Sequence, residues 1–282
     1  MQAVQEQFAA RSFPAEFVVP GSGKELEAGA RAAIANGRHL LLALGGDGTF
    51  QGLANATFGA DVVLGVLPAG GGNDLARALG LPGDLEAAVD AVLQGKPRCV
   101  DLLRARTADG RERLYAGGGG VGLDAEAMQY ASGAYRHIPG RFRYIASALR
   151  ALWGFAPVDV IAEFPGSDLQ TFEAKALLAS VLNTPAYGGG LRLAPEAQCD
   201  DGWLDVVIVE NLTAGEVLGV LPALLKKGEL RTPRLRRYRA QNVRLTTSRP
   251  CLFQGDGEIL GPAPVQIEVI ARAVRILAPA QH

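Results

Sequence analysis

The sequence predicts a protein of two parts, an N-terminal doubly wound α/β domain and a C-terminal β-sandwich-like domain. Up to about residue 100, short and fully apolar segments alternate with helical ones, as in parallel sheets buried on both faces. Beyond Cys99, short segments of alternating polarity separated by turn residues dominate. We therefore expect an α/β domain over residues 1–101 and a β-rich domain over residues 102–282, whose last residues could pack back on the first domain.

The first part contains the clearest alternation of strands and helices. Residues 15–20 predict a short strand, and residues 25–36 predict a helix because their apolar positions repeat at helical spacing. The alternation continues with strands at 40–44 and 61–67 and helices at 49–57, 75–79 and 85–93. Both later strands end in glycine-rich loops, at the edge where sheets of this kind bind ligands.

The second part is predicted to be rich in short strands. Their ranges are 100–106, 113–116, 159–164, 172–183, 204–209, 243–247, 265–270 and 274–277. Two helical segments, roughly 142–153 and 214–227, interrupt them. The result is a β-rich domain with a few helices.

Composition excludes several classes of protein. The 282 residues carry a net charge of −1, which argues against nucleic-acid binding by the whole chain. No apolar run reaches the roughly 18–20 residues that a membrane-spanning helix needs, and the polar N-terminus has no signal-peptide core. The three cysteines are far apart, which fits a reducing cytoplasm rather than a disulfide framework or a zinc site. We expect a cytoplasmic protein that could still touch a membrane surface.

The segment Gly45–Thr49, with the sequence Gly-Gly-Asp-Gly-Thr, directly follows an apolar strand. Glycines let backbone N–H groups approach phosphate oxygens, and Thr49 can open the next helix and bind a phosphate. Asp47 is suited to hold Mg²⁺ or to accept a proton. The alternative is a tight strand–helix turn capped by Asp47, but such a turn does not need Asp and Thr together.

A second loop, at residues 68–77, repeats this chemistry. Three glycines precede Asp74, which begins the next helix. Asp74 alone could be a simple helix cap. Two such loops after neighbouring strands indicate a nucleotide cradle in which Asp47 and Asp74 face one metal-bound phosphate chain.

The two loops together resemble those of the diacylglycerol kinase-type lipid kinases, a family that includes bacterial diacylglycerol kinases, sphingosine kinases and related enzymes. Further motifs follow in the family's order: Gly-Leu-Asp-Ala-Glu at 122–126, Tyr-Gly-Gly-Gly at 187–190, Asp-Gly-Trp-Leu-Asp at 201–205 and Asp-Gly-Glu at 256–258. The resemblance implies an enzyme that depends on ATP and Mg²⁺. It would transfer the γ-phosphate to a hydroxyl of a diacylglycerol-like or related lipid.

The resemblance also assigns roles to residues. Glu258 would be the general base that accepts the proton of the lipid hydroxyl. A carboxylate network of Asp47, Asp74 and Asp101 would surround the catalytic Mg²⁺, partly through water. The nucleotide would be contacted by Gly45, Gly46, Asp47, Gly48, Thr49, Phe50, Gln51, Gly71 and Asn73. Taken alone, Asp101 is an ordinary polar strand residue and Asp-Gly-Glu an ordinary turn.

A second, structural Mg²⁺ is implied at the Asp201 turn. The Asp201 side chain would bind it together with the backbone carbonyls of Gln198 and Trp203, and carbonyl ligands leave the side chains free to vary. The alternative is a hairpin Asp-Gly turn that holds no metal.

The sequence departs from the family's pattern near its start. Members usually begin with a strand and an Asn-Pro-x-Ser-Gly phosphate loop, and residues 1–11 are too short and polar to replace that strand. Either the chain is a shortened version of a family member or part of its nucleotide site is lost. A second departure is Gly71, which stands in the second loop where the family commonly has Thr. Two other functions stay open: an NAD kinase or phosphofructokinase relative with the same first loop, and a non-catalytic lipid- or nucleotide-binding protein.

Two surface features bear on partners. A basic patch consists of Lys226, Lys227, Arg231, Arg234, Arg236, Arg237 and Arg239, with Glu229 as its one acid. The patch could dock on anionic lipid, form a solvated face or make a contact between subunits, as in a homodimer. An aromatic set of Phe142, Tyr144, Trp153 and Phe155 could line a lipid cleft or pack in the core.

Overall fold

Helices and two parallel strands form the first part of the chain. The protein is seen here as a computed structural model that describes residues 2–138, 140–213, 215–216, 219–220, 223 and 230–280; between 140 and 145 only the side chains of Phe142 and Arg143 are described. The elements are α1 (Gln2–Ala10), α2 (Gly23–Ala35), β1 (Leu40–Gly45), α3 (Asp47–Thr57), β2 (Val63–Pro68), α4 (Asp74–Ala78) and α5 (Leu85–Leu93). Strands β1 and β2 pair in parallel, with Leu40 opposite Val63 and Gly45 opposite Pro68.

The second part is dominated by antiparallel strands. Its elements are β3 (Lys96–Thr107), β4 (Glu112–Tyr115), β5 (Gly118–Gly122), α6 (Leu123–Ser132), α7 (Gly140–Leu152), β6 (Val158–Glu163), β7 (Phe172–Leu182), β8 (Leu204–Glu210), β9 (Leu235–Ala240), β10 (Asn242–Thr247), β11 (Leu252–Gly255), β12 (Glu258–Pro262) and β13 (Val265–Ala278). The predicted fold class, an α/β part followed by a β-sandwich-like part, is confirmed. Most of the helix predicted at 214–227 lies outside the described residues.

Strand β13 connects the two parts. It pairs antiparallel with β3 and then runs parallel beside β2, where Arg275 lies opposite Val63 and Ile276 opposite Leu64. A register shift between Ile270 and Val274 bends the strand, so the two strands predicted at 265–270 and 274–277 are one bulged strand. Strand β3 passes through position 101 without interruption, and the division of the chain there stays a prediction.

The strand predicted at residues 15–20 is wrong, because this segment has no regular structure. Pro14 and Pro20 carry no N–H group for a sheet, and Val18 and Val19 are 66% and 73% exposed. The segment therefore has no strand partner, and of its apolar side chains only Phe17 packs against the core. The preceding residues form helix α1, which buries Val4 and Phe8.

Separate hydrophobic clusters hold the elements that meet at the junction of the two parts. One cluster contains Phe50 of α3 and Leu75 of α4, so it fixes the starts of both helices. Another contains Tyr115 of β4 and Phe253 of β11, which lie 5.9 Å apart between ring centres. The loops between these elements are thus supported by packed cores on both sides. Among the described residues, no helix is long and apolar enough to cross a membrane.

Candidate active site

The residues of the first glycine loop form the first turn of helix α3. Strand β1 ends at Gly45, and the Gly46 carbonyl accepts the N–H groups of Thr49 and Phe50 at 3.0 and 3.1 Å. A Cβ at Gly45 would overlap the Thr49 side chain, so only glycine fits there. The first turn of α3 therefore begins immediately at the end of the strand, and its unpaired N–H groups are suited to an anion.

The second loop is held by Asn73 and lies against the first. Asn73 has a left-handed backbone with φ of 58°, and its side-chain amide accepts from Gly70 N at 3.0 Å and donates to Gly70 O at 2.8 Å. A Cβ at Gly70 would overlap the backbone of Gly46. The glycines therefore allow two loop backbones to touch. The Asn73 amide is used within its loop, and its predicted nucleotide contact is not tested.

Asp47 and Asp74 flank Gly72. A Cβ at Gly72 would lie 2.7 Å from Asp47 Oδ2 and 3.8 Å from Asp74 Oδ2, and Asp47 Oδ1 accepts the Leu75 N–H at 3.2 Å. Burial and the Asp47 charge raise the pKa of Asp74 to about 6, although hydrogen bonding and the Arg77 charge oppose this. A cation between the two carboxylates would favour their charged forms.

The donor set at this point fits Mg²⁺. Carboxylate oxygens are its preferred protein ligands, and it commonly takes one or two of them together with water and substrate phosphate. Asp47 and Asp74 supply such a pair. Within the described ranges no group of three His, Cys, Asp or Glu side chains is arranged to hold a metal by itself.

A hairpin from the β-rich part reaches Asp74. The Gly189 N–H donates to Asp74 Oδ2 at 2.9 Å, and Arg77 Nη1 donates to Asp74 Oδ1 at 2.9 Å. Tyr187 and Leu191 close the hairpin through two backbone hydrogen bonds of 2.9 and 2.8 Å. The Asp74 carboxylate is thus positioned by both parts of the chain.

Glu258 lies against the first loop. A Cβ at Gly48 would be 3.4 Å from Glu258 Oε1, and Glu258 itself is exposed at the start of β12. The turn before it has positive φ at Asp256 and Gly257, 50° and 89°, as in a type I′ hairpin. The structure therefore brings Glu258 to the same loop as Asp47.

Asp256 fixes this turn. Its carboxylate accepts the N–H groups of Ala116, Gly117 and Gly118 at 2.7, 2.9 and 3.1 Å. Burial and the Asp47 charge nevertheless raise the pKa of Asp256 to about 7. Sequence reasoning gave Asp256 no role of its own, although an Asp-Gly pair between two short strands is a hairpin signal.

Two of the residues predicted to contact nucleotide have their side chains occupied elsewhere. Phe50 is buried in the core, and Gln51 is 2% exposed with its Nε2 donating to Gly255 O at 3.0 Å. Gln51 therefore ties helix α3 to the end of β11. Only the backbones of these residues remain for a nucleotide contact, which stays a prediction.

Asp101 is fully buried and bonded to other groups. Its Oδ2 accepts the Gly202 N–H and its Oδ1 accepts the Arg272 N–H, both at 2.7 Å. The side chain thus joins β3 to the Asp201 turn and to the bulge of β13. Its membership of a metal network with Asp47 and Asp74 stays a prediction.

The residues at the Asp201 turn do not favour the structural metal. Asp201 Oδ1 accepts the Trp203 N–H at 3.0 Å, and Asp201 Oδ2 forms an ion pair with Arg239, whose guanidinium also lies over the Trp203 ring. The guanidinium supplies the positive charge that a cation would bring. The metal site predicted at Gln198, Asp201 and Trp203 stays a prediction, and so does its alternative, a turn without metal.

The described arginines of the basic patch are likewise paired. Arg234 pairs with Glu216 and Arg236 with Glu210, while Arg237 Nε donates to Leu193 O at 2.9 Å. Together with the pair of Arg239 and Asp201, these contacts neutralise three arginines of the patch within the protein. Lys226, Lys227 and Glu229 lie outside the described residues.

Another buried carboxyl, Asp124, was not predicted as a site residue although it lies in the family's Gly-Leu-Asp-Ala-Glu segment. Its Oδ2 accepts the hydroxyls of Ser180 and Tyr187, each at 3.2 Å. Burial raises the pKa of Asp124 to about 7. Tyr187 belongs to the hairpin that holds Asp74, so Asp124 is connected to the site through that hairpin.

Comparison with known proteins identifies the domains of the chain. Residues 1–105 match the diacylglycerol kinase catalytic domain, and residues 119–278 match the YegS C-terminal NAD kinase beta sandwich-like domain. A diacylglycerol kinase of Mycobacterium tuberculosis strain H37Rv is 30% identical over 249 residues, which cover 88% of this chain and 79% of the relative. A protein of Stenotrophomonas maltophilia named "Probable lipid kinase YegS-like" is also 30% identical, over 260 residues, with coverage of 88% and 81%.

A solved structure shares the fold. The crystal structure of a diacylglycerol kinase from Bacillus anthracis str. Sterne aligns with a TM-score of 0.72 at 19% identity, covering 98% of this chain and 91% of the other. At this identity the likeness bears on the fold alone. The two domain matches and the relatives at 30% identity show the family: the chain belongs to the diacylglycerol kinase-type lipid kinases.

Proposed function

We propose that the chain is an ATP- and Mg²⁺-dependent lipid kinase that transfers the γ-phosphate to a hydroxyl of a diacylglycerol-like or related lipid. The observation that carries the proposal is the meeting of three groups at one point: the first turn of α3, the Asp47–Asp74 pair and the exposed Glu258. Phosphoryl transfer needs positioning and charge neutralisation more than covalent chemistry, and these groups provide both.

Each group has a separate task. The Glu258 carboxylate accepts the proton of the lipid hydroxyl, a step that contributes on the order of 10²–10⁴-fold in rate. The backbones at Gly45–Thr49 and Gly71 bind and orient the nucleotide phosphates. Asp47 and Asp74 would hold Mg²⁺, which neutralises the charge of the transferred phosphate. The Gly189 N–H and Arg77 keep the Asp74 carboxylate in place.

The test is transfer of labelled γ-phosphate from ATP into lipid extracted with organic solvent, across a panel of diacylglycerols and related lipids. Because Glu258 is the proposed base, Glu258→Gln should lower kcat by about 10²–10⁴-fold with little change in the KM for ATP. Glu173→Gln removes an exposed acid from β7 and is the control. No transfer by the unaltered chain, with Asp47→Ala indistinguishable from it, would contradict the proposal.

Two further measurements separate the alternatives. Transfer of phosphate to NAD, and not to lipid, would favour an NAD kinase-like enzyme. Failure to bind ATP in the presence of Mg²⁺, measured by calorimetry, would favour a non-catalytic binding protein.

Cys99, Cys199 and Cys251 are free thiols, which supports the proposal of a reducing, cytoplasmic location. A homodimer stays a prediction.

A further inference from the structure

Helix α7 presents apolar side chains to solvent on one face. Phe142, Leu149 and Trp153 are 62%, 44% and 86% exposed. Their spacings of seven and four residues place them on one stripe of a helix. From the sequence, the aromatic set to which Phe142 and Trp153 belong could either line a lipid cleft or pack in the core. The structure places neither Phe142 nor Trp153 in the core. Scattered exposed apolar residues need no explanation, but an exposed stripe does.

The chain segment that contains this stripe carries only positively charged side chains. Between Glu126 and Asp159 the sequence contains four arginines and no acidic residue, whereas the whole chain has a net charge of −1. Arg136 and Arg150 are exposed, and neither has an acidic partner within 4 Å in the described part of the chain. Arg150 instead lies over the Tyr130 ring at 5.0 Å.

A shallow groove of about 600 Å³ adjoins the stripe. It is lined by Tyr135, Ala146, Leu149, Arg150 and Trp153. Aromatic rings with one polar edge favour the boundary between water and acyl chains, and arginine favours anionic phosphate at the same depth. The surface formed by Tyr135, Phe142, Leu149, Arg150 and Trp153, called here the α7 surface, therefore combines the two interactions that bind an interface helix to a bilayer.

The α7 surface is linked to the candidate site. Helix α6 packs on α7 and contacts β11. Met128 of α6 reaches the turn before Glu258, because a Cβ at Gly257 would lie 3.7 Å from Met128 Cε. A bilayer on the α7 surface would thus be separated from the Glu258 turn by one helix.

We propose that the α7 surface docks the protein on an anionic phospholipid bilayer and presents the site to lipids held there. This rests on the proposed lipid kinase function, because such an acceptor resides in a membrane. Charge complementarity decides the occupant: Arg136 and Arg150, which have no acidic partner among the described residues, lie near exposed aromatics and match an anionic interface. In the basic patch, by contrast, Arg234, Arg236 and Arg239 are each paired with an acidic residue. A second copy of this chain would place arginines against arginines.

The test uses the full chain without ATP, so that it does not depend on catalysis. Vesicles of phosphatidylcholine alone, or with phosphatidylglycerol added, are sedimented with the protein. The chain has two tryptophans, and Trp203→Phe leaves Trp153 as the only reporter of its surroundings. We expect binding to the anionic vesicles, a blue shift of Trp153 emission and quenching of Trp153 by brominated lipid.

Variants measure the contribution of each component. Trp153→Glu and Leu149→Glu should weaken binding to anionic vesicles roughly tenfold or more, and Arg150→Gln roughly fivefold. Leu169→Glu, at an exposed apolar residue between β6 and β7, should bind as the unaltered chain does. Equal binding by Trp153→Glu and Leu169→Glu would overturn the proposal.

Two further outcomes are informative. If sedimentation velocity shows a dimer that Trp153→Glu dissociates, the surface joins two copies and the proposal is wrong. If vesicle binding behaves as expected but no lipid is phosphorylated, only the proposed kinase function fails. With a short-chain diacylglycerol dissolved in water, Trp153→Glu should retain the activity of the unaltered chain, whereas with diacylglycerol in vesicles it should lose activity roughly in proportion to its lost binding.

Discussion

The carboxyl group of Asp124 should make the stability of this protein depend on pH, and Asp124→Asn should remove that part of the dependence. The residue is half-buried, but its carboxyl group is enclosed by Ser180, Tyr187 and the backbone of Gly120. Burial raises its pKa from 3.8 to about 7. A carboxyl group with a raised pKa in the folded state destabilises the protein once the unfolded chain has lost the proton.

The sign and size follow from linkage. Below about pH 4 the group is protonated in both states and contributes nothing. Between about pH 4 and pH 7 the unfolded state loses its proton first, so the free energy of unfolding falls as pH rises. At 1.36 kcal/mol per pH unit the full difference is about 4 kcal/mol, and partial contact with solvent reduces it to about 2–4 kcal/mol. Above pH 7 the effect is constant.

Asp124→Asn keeps an acceptor for the Tyr187 and Ser180 hydroxyls and cannot ionise. Urea unfolding at pH 4.5, 6 and 8 should show a variant that is only about 0.5–1 kcal/mol more stable than the unaltered chain at pH 4.5 and about 2–4 kcal/mol more stable at pH 8. Other buried acids titrate equally in both proteins, so the difference isolates Asp124. Asp168→Asn, at an exposed position between β6 and β7, controls for the loss of a negative charge. A difference that is the same at pH 4.5 and pH 8 would refute the reasoning.

Two further predictions concern the loops. Gly72→Ala places a methyl group 2.7 Å from Asp47 Oδ2, so it should displace that carboxylate and lower lipid kinase activity roughly 10²-fold. Gly83→Ala is the control, because the space around Gly83 is open and its activity should stay that of the unaltered chain. Equal activities of the two variants would contradict the prediction. Arg239→Met removes the ion pair with Asp201 and should lower Tm by about 2–4 °C. Addition of EDTA should change the Tm of the unaltered chain and of this variant by the same amount. A larger Tm loss on chelation in the unaltered chain than in the variant would indicate a metal at the turn.

Local chemistry explains what the sequence predicted well. Helix α5 lies at residues 85–93, as predicted, and Asp84 caps its start by accepting the Ala87 N–H at 3.0 Å. Both glycine loops follow strands whose apolar runs are unbroken. Such signals depend on residues within one turn of each other, so a single sequence contains them.

Long-range contacts decide what the sequence did not reveal. Strand β5 is a run of glycines, and its burial depends on close approach to Gln254 and Ala179, which a Cβ at Gly119 or Gly120 would prevent. The partners of Asp101 lie 101 and 171 positions away along the chain. No local pattern encodes either contact, so β5 was not predicted as a strand and Asp101 alone gave only an ordinary polar strand residue.

The raised pKa values of Asp74, Asp124 and Asp256 bear on what the site is for. Each of these carboxyl groups is buried at some cost in stability near neutral pH, and two of them have Asp47 as a like-charged neighbour. A fold selected for stability alone would replace them with neutral groups. Keeping Asp74 and Asp256 beside the two glycine loops is what we expect of the proposed site, which would trade stability for the binding of a divalent cation and the transfer of a phosphate.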